Sequence, residues 1–178
     1  MEHPIDHAKI SKNALSVVYR LNKEGFEAYL VGGCIRDLLS KSVPKDFDIS
    51  TNAHPQDIRN IFRNSRIVGK RFQIVHVRFE REIIEVSTFR KQDPEVSENQ
   101  SDSGMILRDN AFGSLEEDSL RRDFGVNAIY YNPLSKELID LQGGIKDISR
   151  KLVRSIGPVD VRLREDPVRM LRAIRISE

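Results

Sequence analysis

Leu30-Val-Gly-Gly-Cys-Ile-Arg-Asp37, followed after a short gap by Lys45-Asp-Phe-Asp-Ile49, decides how the chain is read. Glu27 to Val31 has the apolar character of a short strand, Gly32-Gly33 breaks it, and Ile35 to Leu39 opens a helix. A strand–Gly-Gly–helix junction lets backbone amides approach a phosphate, and Arg36 adds a fixed cation. Phe47 and Ile49 alternate with Asp46, Asp48 and Ser50 at strand period, which places both carboxylates on one face of a strand, about 7 Å apart at Cα. Paired carboxylates repel unless a cation sits between them, and magnesium prefers carboxylate and phosphate oxygens. The same residues also read as a Gly-Gly turn beside an exposed acidic strand.

Outward from this stretch, strands and helices interleave, so the fold class is α/β or α+β. Ser11 to Glu24 reads as a helix with Ser11 as cap, an Ala14, Val17, Val18, Leu21 stripe and a Gly25 stop. Pro55 to Phe62 is a second helix. Phe72–Phe79 and Glu82–Phe89 are paired strands, and Gln92–Ser103 is polar and read as a mobile loop. Ser114-Leu-Glu-Glu117 has the form of a capping box. Asn127–Tyr131 and Leu138–Leu141 are strands about an Asn132-Pro133 turn, Gly143-Gly144 leads to a short helix, and Lys151–Ile156 is a further candidate strand. Pro158 is read as opening a linker, and Asp166-Pro167 as starting the last helix.

Composition narrows the class. The 178 residues suit one domain or one domain with a helical appendage, with 39% hydrophobic and 31% charged residues and a net charge of +2. No apolar run is long enough for a membrane span, and Met1 to Asp6 shows no secretion leader. Cys34 is the one cysteine, so an intramolecular disulfide is excluded and a cytoplasmic location is expected. The four histidines have no metal-ligand spacing, and the P-loop ATPase motif is missing.

Three further places carry chemistry. Glu85 lies among apolar neighbours in Ile83-Ile84-Glu85-Val86, either as a third acidic ligand or as the partner of an arginine such as Arg90. Arg121-Arg-Asp-Phe124 reads as a triphosphate contact or as a solvated helix end, with Asp123 able to fix an arginine. In Glu165-Asp-Pro-Val-Arg-Met-Leu-Arg-Ala-Ile-Arg175, Arg169, Arg172 and Arg175 share one helix face, and Val168, Leu171 and Ile174 another. Asp166 and Arg169 share a face from which a carboxylate and a guanidinium can read a base edge.

In this order, the four motifs resemble those of the bacterial poly(A) polymerase and CCA-adding enzyme family, class II of the tRNA nucleotidyltransferase superfamily, over about Ser11 to Arg175. The resemblance implies a polymerase-β-like nucleotidyltransferase head, a small mixed sheet flanked by helices over 1–157, and the start of a helical neck over 158–178. It implies that Asp46 and Asp48 hold two magnesium ions, Glu85 being a further candidate ligand. Gly32, Gly33 and Arg36 would contact the triphosphate, and Arg122 with Arg121 the incoming nucleotide. Asp123 would belong to the active site, and Asp166 and Arg169, supported by Arg172 and Arg175, would recognise the base. The implied reaction transfers adenylate from ATP to an RNA 3′ end. Ile67-Val-Gly-Lys-Arg-Phe-Gln-Ile-Val-His-Val77 and Met105-Ile-Leu-Arg-Asp-Asn-Ala-Phe-Gly-Ser-Leu-Glu-Glu117 look like the poly(A) version, so CCA addition is the alternative, with a non-catalytic remnant that binds nucleotide or a partner as a third reading. Gly125 stands where the family usually has threonine. The helical body that follows the neck in the family lies outside this sequence, so a C-terminal body or partner chain is expected to complete it.

Overall fold

The computed structural model describes residues 5–69, 72–91 and 111–177. The polar loop expected at Gln92–Ser103, the Lys70-Arg71 pair and most of the Met105 motif lie outside them. The first helix, α1 (Lys12–Lys23), forms as its sequence signals require. Ser11 Oγ accepts from the Asn13 and Ala14 amides, and Ala14, Val17, Val18 and Leu21 are buried. Gly25 follows with φ +90°, a conformation that favours glycine. Next come β1 (Ala28–Val31), α2 (Gly33–Leu39), β2 (Asp48–Thr51) and α3 (Pro55–Ile61). A meander of β3 (Ser65–Val68), β4 (Ile74–Phe79) and β5 (Glu82–Thr88) precedes α4 (Leu115–Arg121). The chain ends through β6 (Tyr130–Asn132), β7 (Glu137–Ile139), α5 (Gly144–Ser149), α6 (Val159–Glu165) and α7 (Val168–Ser177).

Among the described residues, seven strands form one sheet in the order β3-β4-β5-β2-β1-β6-β7. Every pairing is antiparallel except β2 with β5, which is parallel and sets Asp48 opposite Glu85. Strand alternation divides the residues between two faces. Leu30, Ile49, Val75, Val77, Ile84 and Val86 join Val17, Val18, Leu21, Ile35 and Ile58 from α1–α3 in the main core. The other face carries Asp48, Ser50, His76, Glu85 and Ser87. A smaller cluster of Val31, Phe89, Leu115 and Tyr130 seats α4 beside it. No helix among the described residues is long and apolar enough to cross a membrane.

Five expectations are corrected. Strand β2 starts at Asp48, so Asp46 lies in the preceding loop rather than on the strand. Asn127 belongs to a 3₁₀ turn (Gly125–Asn127), which delays β6 to Tyr130. Lys151–Ile156 makes only an isolated bridge, Ser155 to Phe124. Pro158 caps α6 rather than opening a linker, in keeping with proline's preference for helix starts. On α7, Arg169 is buried rather than set on an open basic face, whereas Val168, Leu171 and Ile174 are uncovered as expected.

That burial is explained by charge. Arg162, Glu165 and Arg169 are 8, 5 and 8% exposed. Arg162 Nη1 lies 2.7 Å from Glu165 Oε2, and Arg169 Nη1 lies 3.4 Å from the same oxygen. Arg162 Nη2 also donates to the carbonyls of Leu120, Arg121 and Arg122 at 3.3, 2.5 and 2.9 Å. These are C-terminal carbonyls of α4 that have no partner within the helix, at the end where the helix dipole favours a cation. A buried cluster of this kind adds little when intact but is costly to break. Arg162→Ala should therefore lower stability by about 3 kcal/mol, read as a shift in the urea midpoint without a change in slope. An unchanged midpoint would show that the cluster does not hold α6 against α4.

Candidate active site

Glycine starts the site. Gly32 adopts φ +82° and ψ −142° ahead of α2, and a Cβ there would lie 3.5 Å from Asp48 Oδ2, so this turn runs beside the carboxylate. Cys34 is buried under it, with Sγ donating to Val31 O at 3.2 Å, and burial pushes its thiol up to about 12. Cys34 is therefore a packing residue, as its lack of a histidine partner suggests.

Asp48 and Glu85 are register partners on adjacent parallel strands. Partial removal from water and then the Glu85 charge push the Asp48 carboxyl up to about 6; Arg122 opposes this and Asp46 adds to it. Asp48 stays accessible to solvent at the lip of the site, beside the Glu85 and Asp46 charges. Glu85 pairs across the sheet with His76 (Nε2 to Oε1, 3.4 Å), in place of the Arg90 partner considered from the sequence.

Two cavities meet at this pair. One, of about 250 Å³, is lined by Asp48, Glu85, Ser87, Arg90, Arg121 and Arg122. The second, of about 500 Å³, includes Lys45, Asp46, Asp48, His76, Arg81 and Glu85. The carboxylates thus separate a wall of guanidinium groups from a mixed-charge entrance.

The arginine wall is held rigidly. Arg122 donates to Asp118 Oδ2 through Nε (3.2 Å) and Nη2 (3.0 Å), to Tyr130 Oη at 2.9 Å and to Ser50 Oγ at 3.1 Å. Tyr130 Oη in turn donates to Asp118 Oδ2 at 2.7 Å. Burial works against the Arg122 charge, but Tyr130 and Asp118 hold its pKa above the ordinary arginine value. The Arg90 amide donates to Asp118 Oδ1, and its guanidinium lies over the Phe72 ring at 5.2 Å. Arg121 is pulled down to about 10, first by burial and then by the charges of Arg90, Arg162 and Arg169. Crowded cations of this kind favour an anion.

A second group of expected residues lies between the head and α7. Arg172 Nε donates to Asp123 Oδ2 at 2.8 Å, and its Nη2 to Asp166 Oδ2 at 2.9 Å. The possibility that Asp123 fixes an arginine is met by Arg172. Arg36 donates twice to Asp37 Oδ1 and, through Nη1, to Asn127 Oδ1 at 2.8 Å. Arg169 is turned into the buried cluster with Glu165, and Arg175 is exposed. Asp166 and Arg169 thus have their hydrogen-bonding atoms engaged within the protein, with Arg169 Nε left unpartnered.

Sequence reading missed Asp118, Tyr130, Ser50, Asn127 and Arg162. Only Asp118 carried a visible signal, an acidic residue four before Arg122 on a capped helix. Gly125 receives a new explanation. Gly144 packs on its backbone, since a Cβ there would come within 2.0 Å of Gly125 O. A Cβ on Gly125 itself would lie 2.5 Å from Asp147 Oδ2 and 3.0 Å from Arg154 Nη2. Those two groups pair at 2.8 Å, so the space a side chain would occupy is filled rather than loose.

Residues 28–154 match the family described as the poly A polymerase head domain. The poly(A) polymerase I of Salmonella typhi is 51% identical over 181 aligned positions, covering 99% of this chain and 39% of that protein. The poly(A) polymerase I of Haemophilus influenzae is 55% identical over 170, covering 93% and 38%. A crystal structure of the Bacillus stearothermophilus CCA-adding enzyme in complex with CTP superposes with a TM-score of 0.73 at 35% identity, over 98% of this chain and 39% of that one. The chain thus spans about two fifths of the length of the curated relatives it matches.

The Asp48–Glu85 contact has a pH signature. Because the folded-state pKa of Asp48 lies above its ordinary 3.8, its contribution to stability is fully present below about pH 4 and is lost as pH rises through about 6. The Asp48 carboxyl carbon, followed by NMR without divalent cations, should titrate near 6, and Glu85→Gln should bring the midpoint down. A midpoint that ignores the Glu85 substitution would show that the two carboxylates do not sense one another.

Proposed function

This chain belongs to the poly A polymerase head domain family, and from that premise we propose that it is the catalytic head of a template-independent RNA 3′-end adenylyltransferase. The observation that carries the reading is the carboxylate pair of Asp48 and Glu85 facing Arg90, Arg121 and Arg122 across one cavity. Residues 1–157 are the head in this reading, and 158–178 begin a neck.

The residues fit a divalent cation. Burial raises Asp48 and the Glu85 and Asp46 charges raise it further, and a cation between the carboxylates removes that repulsion. Among the described residues no three or more His, Cys, Asp or Glu side chains converge as a closed metal site. An open pair suits magnesium, which keeps waters and takes its remaining ligands from substrate phosphates. Asp46 and Asp48 are the proposed ligands of two magnesium ions, with Glu85 beside them. Bound there, the ions supply a lowered pKa for the attacking hydroxyl and charge neutralisation on the departing pyrophosphate.

The RNA 3′-hydroxyl oxygen attacks the α-phosphorus of ATP, forming the new phosphodiester as the bond to pyrophosphate breaks, and the hydroxyl proton passes to solvent. Arg122, fixed by Asp118 and Tyr130, and Arg121, already crowded by cations, bind the triphosphate, with Gly32, Gly33 and Arg36 on the α2 side. A guanidinium that is pre-oriented does not need to reorganise when charge develops. Asp166 and Arg172, with Asp123 holding Arg172, form the base-recognition side, Arg169 being buried behind them and Arg175 exposed further along α7. Adenylate rather than cytidylate is favoured because the relatives at 51 and 55% identity are poly(A) polymerases, against 35 to 40% for the CCA-adding enzymes.

Extension of a labelled RNA with ATP, CTP or both tests the reading. Magnesium-dependent tailing with ATP alone is expected, falling about 10³-fold or more in Asp46→Ala/Asp48→Ala, the loss of several kcal/mol of transition-state stabilisation. Addition of CTP followed by a single adenylate would instead establish CCA addition. No extension, with no ATP binding by the unsubstituted chain, would overturn the proposal.

A further inference from the structure

We infer that Asn127 is a positioning residue that links recognition of the triphosphate at Arg36 to recognition of the base at Arg172 and Asp166. Its amide is used at both ends. Oδ1 accepts from Arg36 Nη1 at 2.8 Å, and Nδ2 donates to Asp123 Oδ1 at 3.3 Å. Asp123 Oδ2 then accepts from Arg172 Nε at 2.8 Å, and Arg172 Nη2 donates to Asp166 Oδ2 at 2.9 Å. A continuous chain of hydrogen bonds therefore runs from α2 to α7.

The chemistry singles out an amide at this point. A guanidinium only donates and a carboxylate only accepts, so a side chain bridging them must offer an acceptor at one end and a donor at the other. Asn127 has that polarity, and its two partners leave only one orientation of the amide. Its backbone is held by the 3₁₀ turn, where the Asn127 amide donates to Phe124 O at 3.0 Å, and Asp123 is pinned by the Phe124 amide at 2.8 Å. Neither end of the bridge is free to drift independently of the other.

This rests on the proposed nucleotide site and adds a consequence. When phosphate oxygens draw Arg36 toward them, Asn127 transmits the displacement to Asp123, and so to the two groups proposed to face the base. Conversely, loss of Arg172 leaves Asp123 Oδ2 without that partner, and its charge then competes through Asn127 for Arg36. Arg172 should thus influence a ligand that has no base.

Inorganic tripolyphosphate is such a ligand, and its affinity can be measured calorimetrically on the 178-residue chain in a double-mutant cycle. With Asn127 present, Arg172→Ala should weaken tripolyphosphate about fivefold. In the Asn127→Ala background the same substitution should change it less than twofold. Asn127→Leu serves as a second background, close in shape but with neither the acceptor for Arg36 nor the donor to Asp123 and no new charge, and should abolish the coupling likewise. Thermal unfolding and ATP binding are measured beside each variant. Equal weakening in all backgrounds, the result of a merely structural role or of through-space charge, would overturn the inference while leaving the nucleotide site intact. So would no effect of Arg172→Ala in any background. Failure of the unsubstituted chain to bind either ATP or tripolyphosphate would overturn the nucleotide site and this inference together.

Discussion

Two carboxylates on neighbouring strands repel each other, and the parallel pairing of β2 with β5 sets Asp48 beside Glu85. An antiparallel meander alone would not carry Glu85 there. The crossover through α3, β3 and β4 returns β5 along β2 in the same direction, and this register supplies the paired charges. Much of the polar architecture on this sheet face can be understood as a response. His76 approaches Glu85 from β4, and Arg122 opposes the rise in the Asp48 pKa from the end of α4. The core face, filled by Ile49, Val75, Ile84 and Val86, gives the sheet the rigidity to hold like charges together.

Arginine serves two separate purposes here, distinguished by what each guanidinium touches. Arg162 and Arg169 are interior groups whose donors go to Glu165, to the Arg162 carbonyl in α6 and to backbone carbonyls at the end of α4. Arg121 and Arg122 lie at that same end and line the cavity. The buried cluster therefore supports the element from which the cavity arginines project. It also adds to the positive field felt by Arg121, whose charge is already disfavoured by burial. A helix end with uncapped carbonyls would provide neither the anchorage nor the field.

The parts of this arrangement legible in the sequence are those fixed by local rules. Ser11 and Gly25 bound α1, Ser114 and Glu117 form the box that starts α4, and the period-two runs at β4 and β5 identify themselves. Short elements fared worse. Strand β3 has four residues, too few for a period to register, and gains its identity from pairing with β4. Helix α6 lacks an apolar stripe, because it buries Arg162 and Glu165 and exposes Val159 and Val161, the reverse of the usual pattern. At the site, Asp46, Asp48, Arg121 and Arg122 stood out through motif spacing. Tyr130 and Asn127 did not, since their roles depend on partners across the fold, Asp118 and Arg36. Hydrogen-bond complementarity over such separations leaves no local trace in a single sequence.

Gly125 shows how the space beside one backbone position is shared among its neighbours. The volume that a β-branched residue would need is now held by the Asp147 carboxylate and its Arg154 partner, with the Gly144 backbone closing the other side. A side chain at 125 requires the tips of Asp147 and of the exposed Arg154 to move aside together, since the two are paired with each other. Residues 125, 147 and 154 therefore form an epistatic unit, in which the acceptable identity at one position depends on the other two. A larger residue at 125 is expected to be received by a joint shift of those two side chains.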